Sequence, residues 1–355
     1  MKDRIYVCHT PYHVYVTLLK EFVLPKEQQN TATLVLSKMS SDFSSIYERI
    51  QKLGIFEKVL EYDEKRFTFF DSLNIYKHDN VGFIRKIWNR ILFTKRYGKL
   101  QEKYVPVNFK EYKDIYVYCD SDPIGIYLNY KRIPYHALED GLNTIIHTDA
   151  ARYDNRCYFW LKAFLAKNNL IFIQNGYSKY CIDMEVNQIE GIRYPNKKYK
   201  EVPRKDLEAR LTETEKSIII KTFVSEPERL KTQLTAAKKE KKSILILTEP
   251  LCDLETRKQI FSDLIKEYKK QGSIIIKPHP RDELTYEDIF PDYMILDKKI
   301  PMEVLNLLGE SAFDLAVGVF TDIKGIRFAK ESLRLGPDFM DKYETPEIHR
   351  QNEQI

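Results

Sequence analysis

Glycine is scarce in this chain: 12 residues in 355, about half the usual share of roughly 7%. That excludes collagen-like, linker-rich and glycine-loop repeat architectures. Cysteine is sparse too. The five (8, 119, 157, 181 and 252) are odd in number, widely spaced and free of any CxxC, which argues against a disulfide framework or a zinc cluster and for a reducing compartment. No run of about 18 apolar residues occurs, so no spanning helix is expected. The opening stretch MKDRIYVCHTPYHVYVTLLKEF has neither a continuous signal-like apolar run nor a cleavage box. The glycine fingerprint of dinucleotide folds and the P-loop are both missing, which removes the main support for dehydrogenase and P-loop chemistry. Neither sign of charge dominates: 57 Lys and Arg against 52 Asp and Glu leave +5, far from the cationic density of a dedicated nucleic-acid binder. The expected setting is the cytoplasm, with peripheral contact at the inner face of the membrane.

What is present is a chain rich enough in apolar residues (43%) to build a sizeable core and long enough for two domains. Arg4–Cys8 is a short apolar run followed by His9-Thr10-Pro11. Thr10 suits an N-cap and Pro11 the first helical position, and Val14, Leu18, Leu19 and Val23 then recur at helical spacing. Strand-like runs follow at 32–37, 59–62, 114–119, 133–138 and 170–174, with a helical face at Phe43, Ile46, Ile50 and Leu53. Alternation of this kind predicts a parallel sheet with helices on both sides. A charged connection over 196–242 leads to a second α/β unit: strands 243–248, 273–277, 294–297 and 315–320, and helices 256–271 and 302–309. The expected organisation is a domain over 1–195, a connection over 196–242, a second domain over 243–325 and a tail over 326–355.

In open parallel sheets ligands sit at the carboxyl ends of strands, and four constellations fall there. Glu139-Asp140-Gly141 ends an apolar run. Two adjacent acids point in different directions, so one could face a cleft and act as a general base, although acids and glycine also populate solvated turns. Lys277-Pro278-His279-Pro280-Arg281 ends the run 273–277, where two prolines fix the direction of a histidine flanked by cations. That suits a phosphate contact, and a Pro-rich turn with an incidental His is the plain alternative. Asp120-Ser121-Asp122 follows the run 114–119; it could hold a divalent metal and a pyrophosphate, or cap a helix begun at Pro123. Gly318 and Thr321, in VGVFTD, could bind an anion through backbone N–H groups at a helix start, with Asp322 beside them. His9 and His13 are four apart, but no third ligand is near in sequence, and they are not expected to hold a metal. The stretch 85–103 mixes Arg and Lys with Ile, Trp, Leu and Phe; it fits an anionic membrane face and equally a solvated helix with one core face.

Taken in order, the strand ending in HTPYH, then EDG, ILILTEPL, KPHP, IPMEVL and VGVFTD, the chain resembles bacterial sialyltransferases of glycosyltransferase family 52 over about residues 10–325. The resemblance implies the GT-B fold: α/β, two Rossmann-like domains facing a central cleft. It implies inverting transfer of sialic acid from CMP-sialic acid to a glycan hydroxyl of cell-surface polysaccharide or lipooligosaccharide, with no metal or other cofactor. Asp140 would be the general base, His279 the contact to the donor phosphate and Glu303 the acid that holds the ribose. The remaining substrate-binding positions would be Thr10, Glu139, Gly141, Thr248, Lys277, Pro278, Pro280, Gly318 and Thr321. Thr321-Asp322 stands where the family has a serine pair on the phosphate. The expected partners are the nucleotide-sugar donor, the glycan acceptor, a membrane surface at 85–103 and a second copy of the chain as a homodimer, and not nucleic acid. Two other functions compete: a metal-dependent sugar transferase using Asp120 and Asp122, and a non-catalytic nucleotide- or glycan-binding homologue.

Overall fold

The structure is a computed structural model that describes residues 1–77, 81–142, 144–146, 157–240, 242–309, 312–323 and 325–345. The chain forms two compact units, 1–212 and 213–355.

Among the described residues the first unit carries seven strands: β1 (Lys2–Cys8), β2 (Thr33–Ser37), β3 (Lys58–Tyr62), β4 (Tyr112–Val117), β5 (Tyr135–Leu138), β6 (Cys181–Val186) and β7 (Tyr199–Glu201). All pair in parallel in the order β3-β2-β1-β4-β5-β6-β7. Parallel strands need crossovers, supplied mainly by helices α1 (Pro11–Phe22), α2 (Ser44–Leu53), α3 (Phe83–Gln101), α4 (Pro123–Lys131) and α5 (Phe159–Lys167), while α6 (Arg204–Ala209) follows β7. Strands buried on both faces read as continuous apolar runs, and β2 is buried along its whole length. The core joins Ile5, Val7, Val35, Ile115, Val117 and Ala137 from the central strands to Ile124 and Leu128 of α4. α1 begins as its sequence predicts, with Thr10 as N-cap and Pro11 in the first turn.

The second unit begins with α7 (Glu213–Phe223) and α8 (Pro227–Glu240). It continues through β8 (Lys242–Leu247), α9 (Leu254–Tyr268), β9 (Gly272–Lys277), α10 (Tyr286–Ile289), β10 (Met294–Ile295), α11 (Met302–Leu305), β11 (Phe313–Gly318), β12 (Ala329–Arg334) and α12 (Pro337–Met340). Its sheet is also parallel, in the order β10-β9-β8-β11-β12. Ile244, Ile246, Ile274, Ile276 and Val317 pack on Ile260, Phe261, Leu264 and Ile265 of α9.

Three sequence expectations differ from the structure. Residues 170–174 form no strand; Ile171 and Ile173 pack beside Phe159, Ala163 and Ala166 of α5, and β6 takes the place in the sheet. A five-residue apolar run carries no signal that separates a strand from a buried loop. The expected connection over 196–242 holds β7 and three helices, which fall on both sides of the division at 212 and 213. The expected tail contributes β12, an edge strand of the second sheet; its last residues, 346–355, lie outside those described.

In both sheets the strand order reverses beside the strand that comes first in the unit's chain order, between β1 and β4 and again between β8 and β11. Crossovers leave to opposite sides there, so the strand ends part and a crevice opens. The constellations read from the sequence sit at these two points or on the strand next to them.

Candidate active site

At the first point, β1 ends in Cys8 and leads to His9 and Thr10, β4 leads to Cys119–Asp122, and β5 leads to Glu139 and Asp140. The two adjacent acids diverge as expected. Glu139 turns inward, accepting the backbone N–H groups of Asn187 at 2.6 Å and Ile145 at 3.2 Å. Burial raises its pKa above the ordinary carboxyl value, against the pull of those hydrogen bonds. Asp140 remains partly exposed and meets His13, whose Nε2 is 2.8 Å from Oδ1 and 2.9 Å from the backbone oxygen.

The tautomer of His13 follows from its other nitrogen. Nδ1 lies 3.0 Å from the backbone nitrogen of His9, which can only donate. Nδ1 is therefore the acceptor and the proton sits on Nε2, directed at Asp140. Burial lowers the pKa of His13, against the pull of Asp140, so the ring is neutral near pH 7. Tyr118 stacks on this ring with centroids 3.9 Å apart and planes 4° apart, and its hydroxyl donates to the His13 carbonyl. Cys119 Sγ lies 3.3 Å from Asp140 Oδ1. Thr10 supports the same turn, its hydroxyl accepting the N–H of His13. At Gly141 a Cβ would come within 2.5 Å of Thr144 Oγ1, so a larger residue there would have to turn that hydroxyl aside.

The paired-aspartate reading is not met in the geometry. The Asp120 carboxyl is buried, accepts from Tyr135 Oη at 2.9 Å and Gly176 N–H at 3.1 Å, and is pushed up to about 6 by burial. Asp122 takes the N-cap position of α4 without a side-chain cap, and lies instead beside His9. The two acids thus serve different surroundings.

At the second point, β8 leads to Thr248 and Glu249, β9 ends in Lys277 and leads to Pro278-His279-Pro280, and β11 ends in Gly318 and leads to Thr321. The His279 turn is built from below. Thr248 Oγ1 accepts the His279 N–H at 3.1 Å and donates to Asp282 Oδ2 at 3.2 Å; Asp282 also receives Arg257 at 2.7 Å and Tyr286 at 2.7 Å. His279 Nδ1 accepts the N–H of Arg281 at 3.1 Å, which leaves the proton on Nε2. Burial, with Arg281 and Lys277 nearby, lowers the pKa of this ring to about 4. The sequence placed His279 correctly at a strand end but assigned Lys277 to the substrate. Its ammonium lies inside instead, donating to the carbonyls of Pro278 and Lys298, and burial lowers its pKa to about 8. Pro278 is buried and Pro280 exposed. Glu303 stands in the first turn of α11, partly exposed, close enough for its charge to act on Lys277.

The loop after β11 binds an anion through its backbone, and the anion is the chain's own. Glu249 Oε1 accepts the N–H groups of Val319 at 3.0 Å and Thr321 at 2.9 Å, Oε2 accepts that of Phe320 at 3.0 Å, and the Thr321 hydroxyl also donates to Oε1. Gly318 is needed there, since a Cβ would come within 2.9 Å of the Thr321 side chain and 3.3 Å of Glu249 Oε1. Sequence reasoning missed Glu249 and Asp282, and weighed His13 only as a metal ligand. Each acts on a residue far away in the chain or in another loop, and only the sheet order brings them together.

The family model of glycosyltransferase family 52 matches residues 28–317. A stretch of 82 residues is 32% identical to an uncharacterized protein of Haemophilus influenzae, covering 22% of this chain and 26% of that relative. Among solved structures, the chain is similar to the 2,6-sialyltransferase of Photobacterium sp. JT-ISH-224 in a ternary complex with the donor product CMP and the acceptor substrate lactose. That likeness has a TM-score of 0.55 and 10% identity over 93% of this chain and 70% of that one. It is also similar to the sialyltransferase of Photobacterium damsela, with a TM-score of 0.50 and 13% identity over 99% of this chain and 79% of that one. These likenesses show a shared GT-B fold of two α/β units.

Proposed function

The chain belongs to glycosyltransferase family 52, and we propose that it moves sialic acid from CMP-sialic acid to a glycan hydroxyl of a cell-surface saccharide, with inversion and without a metal. One observation carries this reading. A carboxylate on the strand beside the switch point of the first sheet, Asp140, is aimed by a neutral histidine whose tautomer is fixed from behind.

In the proposed reaction the acceptor oxygen attacks the anomeric carbon of sialic acid as the bond from that carbon to the phosphate oxygen breaks. Asp140 accepts the proton that the acceptor hydroxyl loses, while His13 holds its carboxylate through Oδ1. The leaving CMP gains charge on its phosphate. His279 presents an Nε2–H donor, and Arg281 beside it adds positive charge, so charge that develops on the phosphate meets a fixed donor. Glu303 takes the ribose hydroxyls. Glu249 fills the backbone amides after β11, where the family resemblance puts the phosphate, so phosphate contact falls to His279 and its turn, and Gly318 and Thr321 serve to hold Glu249.

The exposed face of α3 supports a membrane-side location for this chemistry. Phe83, Ile84 and Trp88 are solvent-exposed there beside Arg85 and Lys86, and Trp160 and Phe164 of α5 are exposed as well, with Tyr158, just before α5, in ring contact with Phe83. Among the described residues no helix is long and apolar enough to cross a membrane.

The deciding experiment is calorimetric titration with CMP, CDP, UDP and GDP, followed by transfer from CMP-sialic acid with and without EDTA. CMP is expected to bind in preference to the diphosphates, and transfer to survive chelation. Preference for UDP or GDP, or loss of transfer with EDTA that Mn²⁺ restores, would overturn the reading.

A further inference from the structure

We infer that His9, Cys119 and Asp122 form a binding site for a divalent transition metal of the Zn²⁺ class at the switch point of the first sheet. The ligand atoms available from these three side chains all lie within 4.8 Å of one another. They come from elements brought together by the pairing of β1 with β4: His9 follows β1, and Cys119 and Asp122 follow β4. Imidazole nitrogen, thiolate sulfur and carboxylate oxygen are the donors that Zn²⁺ and its neighbours in the first row accept in tetrahedral or near-tetrahedral sites.

His9 is the observation that points to a ligand rather than to a polar cluster. Its side chain is 2% exposed, yet Nδ1 has no hydrogen-bond partner among the described residues and faces Asp122 Oδ2 at 3.9 Å. The other nitrogen, Nε2, is 2.8 Å from Glu64 Oε2. Glu64 is itself fixed by Ser37 Oγ at 2.6 Å and by the N–H of Ile124 at 2.8 Å. A carboxylate on the far nitrogen of a histidine sets the ring's orientation and places the proton on that side, so the near nitrogen offers its lone pair. Metal-ligating histidines are commonly supported in this way. Asp122 stands at the start of α4 but makes no capping bond with its side chain.

Binding is acid–base exchange with no change of oxidation state: the thiol of Cys119 gives its proton to solvent and its sulfur joins His9 Nδ1 and the Asp122 carboxylate on the ion. Cys119 Sγ is 3.3 Å from Asp140 Oδ1, so the ion would sit beside that carboxylate. The inference stands on this geometry alone and not on the transferase reading, in which no metal takes part.

The test is titration of the whole protein with Co²⁺, followed by displacement with Zn²⁺. One equivalent of Co²⁺ is expected to give a thiolate-to-cobalt charge-transfer band in the near ultraviolet, and Zn²⁺ to abolish it. The band should disappear in Cys119→Ala, and Asp122→Asn should weaken Co²⁺ binding at least about tenfold. Glu64→Gln, a positioning change, should keep the band and weaken binding by about 10- to 100-fold. Circular dichroism checks that each variant folds, and Cys119→Ala with Asp122→Asn suffices if Glu64→Gln does not. No band at one equivalent, or a band that survives Cys119→Ala because an exposed thiol such as Cys157 supplies it, would overturn the site.

Discussion

His13 and Asp140 are 127 residues apart in the chain and 2.8 Å apart in space. The first is in the opening turn of α1, which follows β1, and the second follows β5; in the sheet β4 stands between those two strands. The backbone N–H of His9 settles which nitrogen of His13 is protonated. A main-chain group thus determines how a distant carboxylate is presented.

Asp140→Asn is expected to lower turnover by about 10²- to 10⁴-fold, the range for loss of a general base. Nucleotide binding should remain within a few-fold of wild type. Steady-state transfer assays paired with calorimetry check both. Undiminished turnover would show that another group takes the acceptor proton.

His13→Gln keeps a donor of similar reach, whereas His13→Ala removes it. Turnover should fall in His13→Ala and recover in part in His13→Gln, with KM for the acceptor little changed. The pH profile separates positioning from mere structural support: if Asp140 is the base, the acid limb of the pH–turnover profile should move in His13→Ala. A stability loss with an unmoved profile would reduce His13 to packing.

His279 gives a pH signature with a definite sign. Its pKa is about 4 in the folded chain, held down by burial and by Arg281 and Lys277, against an ordinary value of 6.5. Between those two pH values the unfolded chain binds the proton and the folded chain does not. Stability from this residue is therefore complete above pH 6.5 and is lost as pH falls toward 4. Urea unfolding at pH 7 and pH 5 should show His279→Asn losing less stability on acidification than wild type. In transfer assays His279→Ala should cost about 10²- to 10³-fold in turnover, as for loss of one preorganised donor, with the acceptor KM nearly unchanged. An effect confined to that KM would contradict the role.

Glu249→Ala removes the acceptor for three backbone N–H groups and the Thr321 hydroxyl. Those donors are then left wanting in a partly buried loop, at a cost of about 3 kcal/mol. Glu249→Gln retains an acceptor and should lose less. Chemical denaturation of the two variants beside wild type measures the difference, and equal stabilities would show that water fills the loop at no cost.

The alternation of apolar runs with helical faces made the parallel α/β architecture legible, because strands buried on both faces carry a continuous apolar run with polar residues only toward their ends. β2, β8 and β9 are of this kind. β12 was not, since an edge strand with three exposed charged positions, Lys330, Glu331 and Arg334, reads like a solvated tail. Strand-end placement made Asp140 and His279 readable as candidates. Their supports were not: Asp282 and His13 act through spatial neighbours, Thr248 was read as a substrate contact rather than a support for His279, and local spacing encodes nothing about a partner in another crossover. Lys277 shows the opposite limit. Its charge suggested phosphate, but strand alternation turned the side chain inward, where backbone carbonyls receive it.

The carboxylate lodged in the β11 loop welds two distant stretches of sequence into one unit of change. A serine introduced at position 322 alone would not recreate a two-hydroxyl cradle, because Glu249 would still claim the amides and the Thr321 hydroxyl. Conversion toward such a cradle must alter positions 249 and 322 in concert, so lineages that diverge at one should diverge at the other.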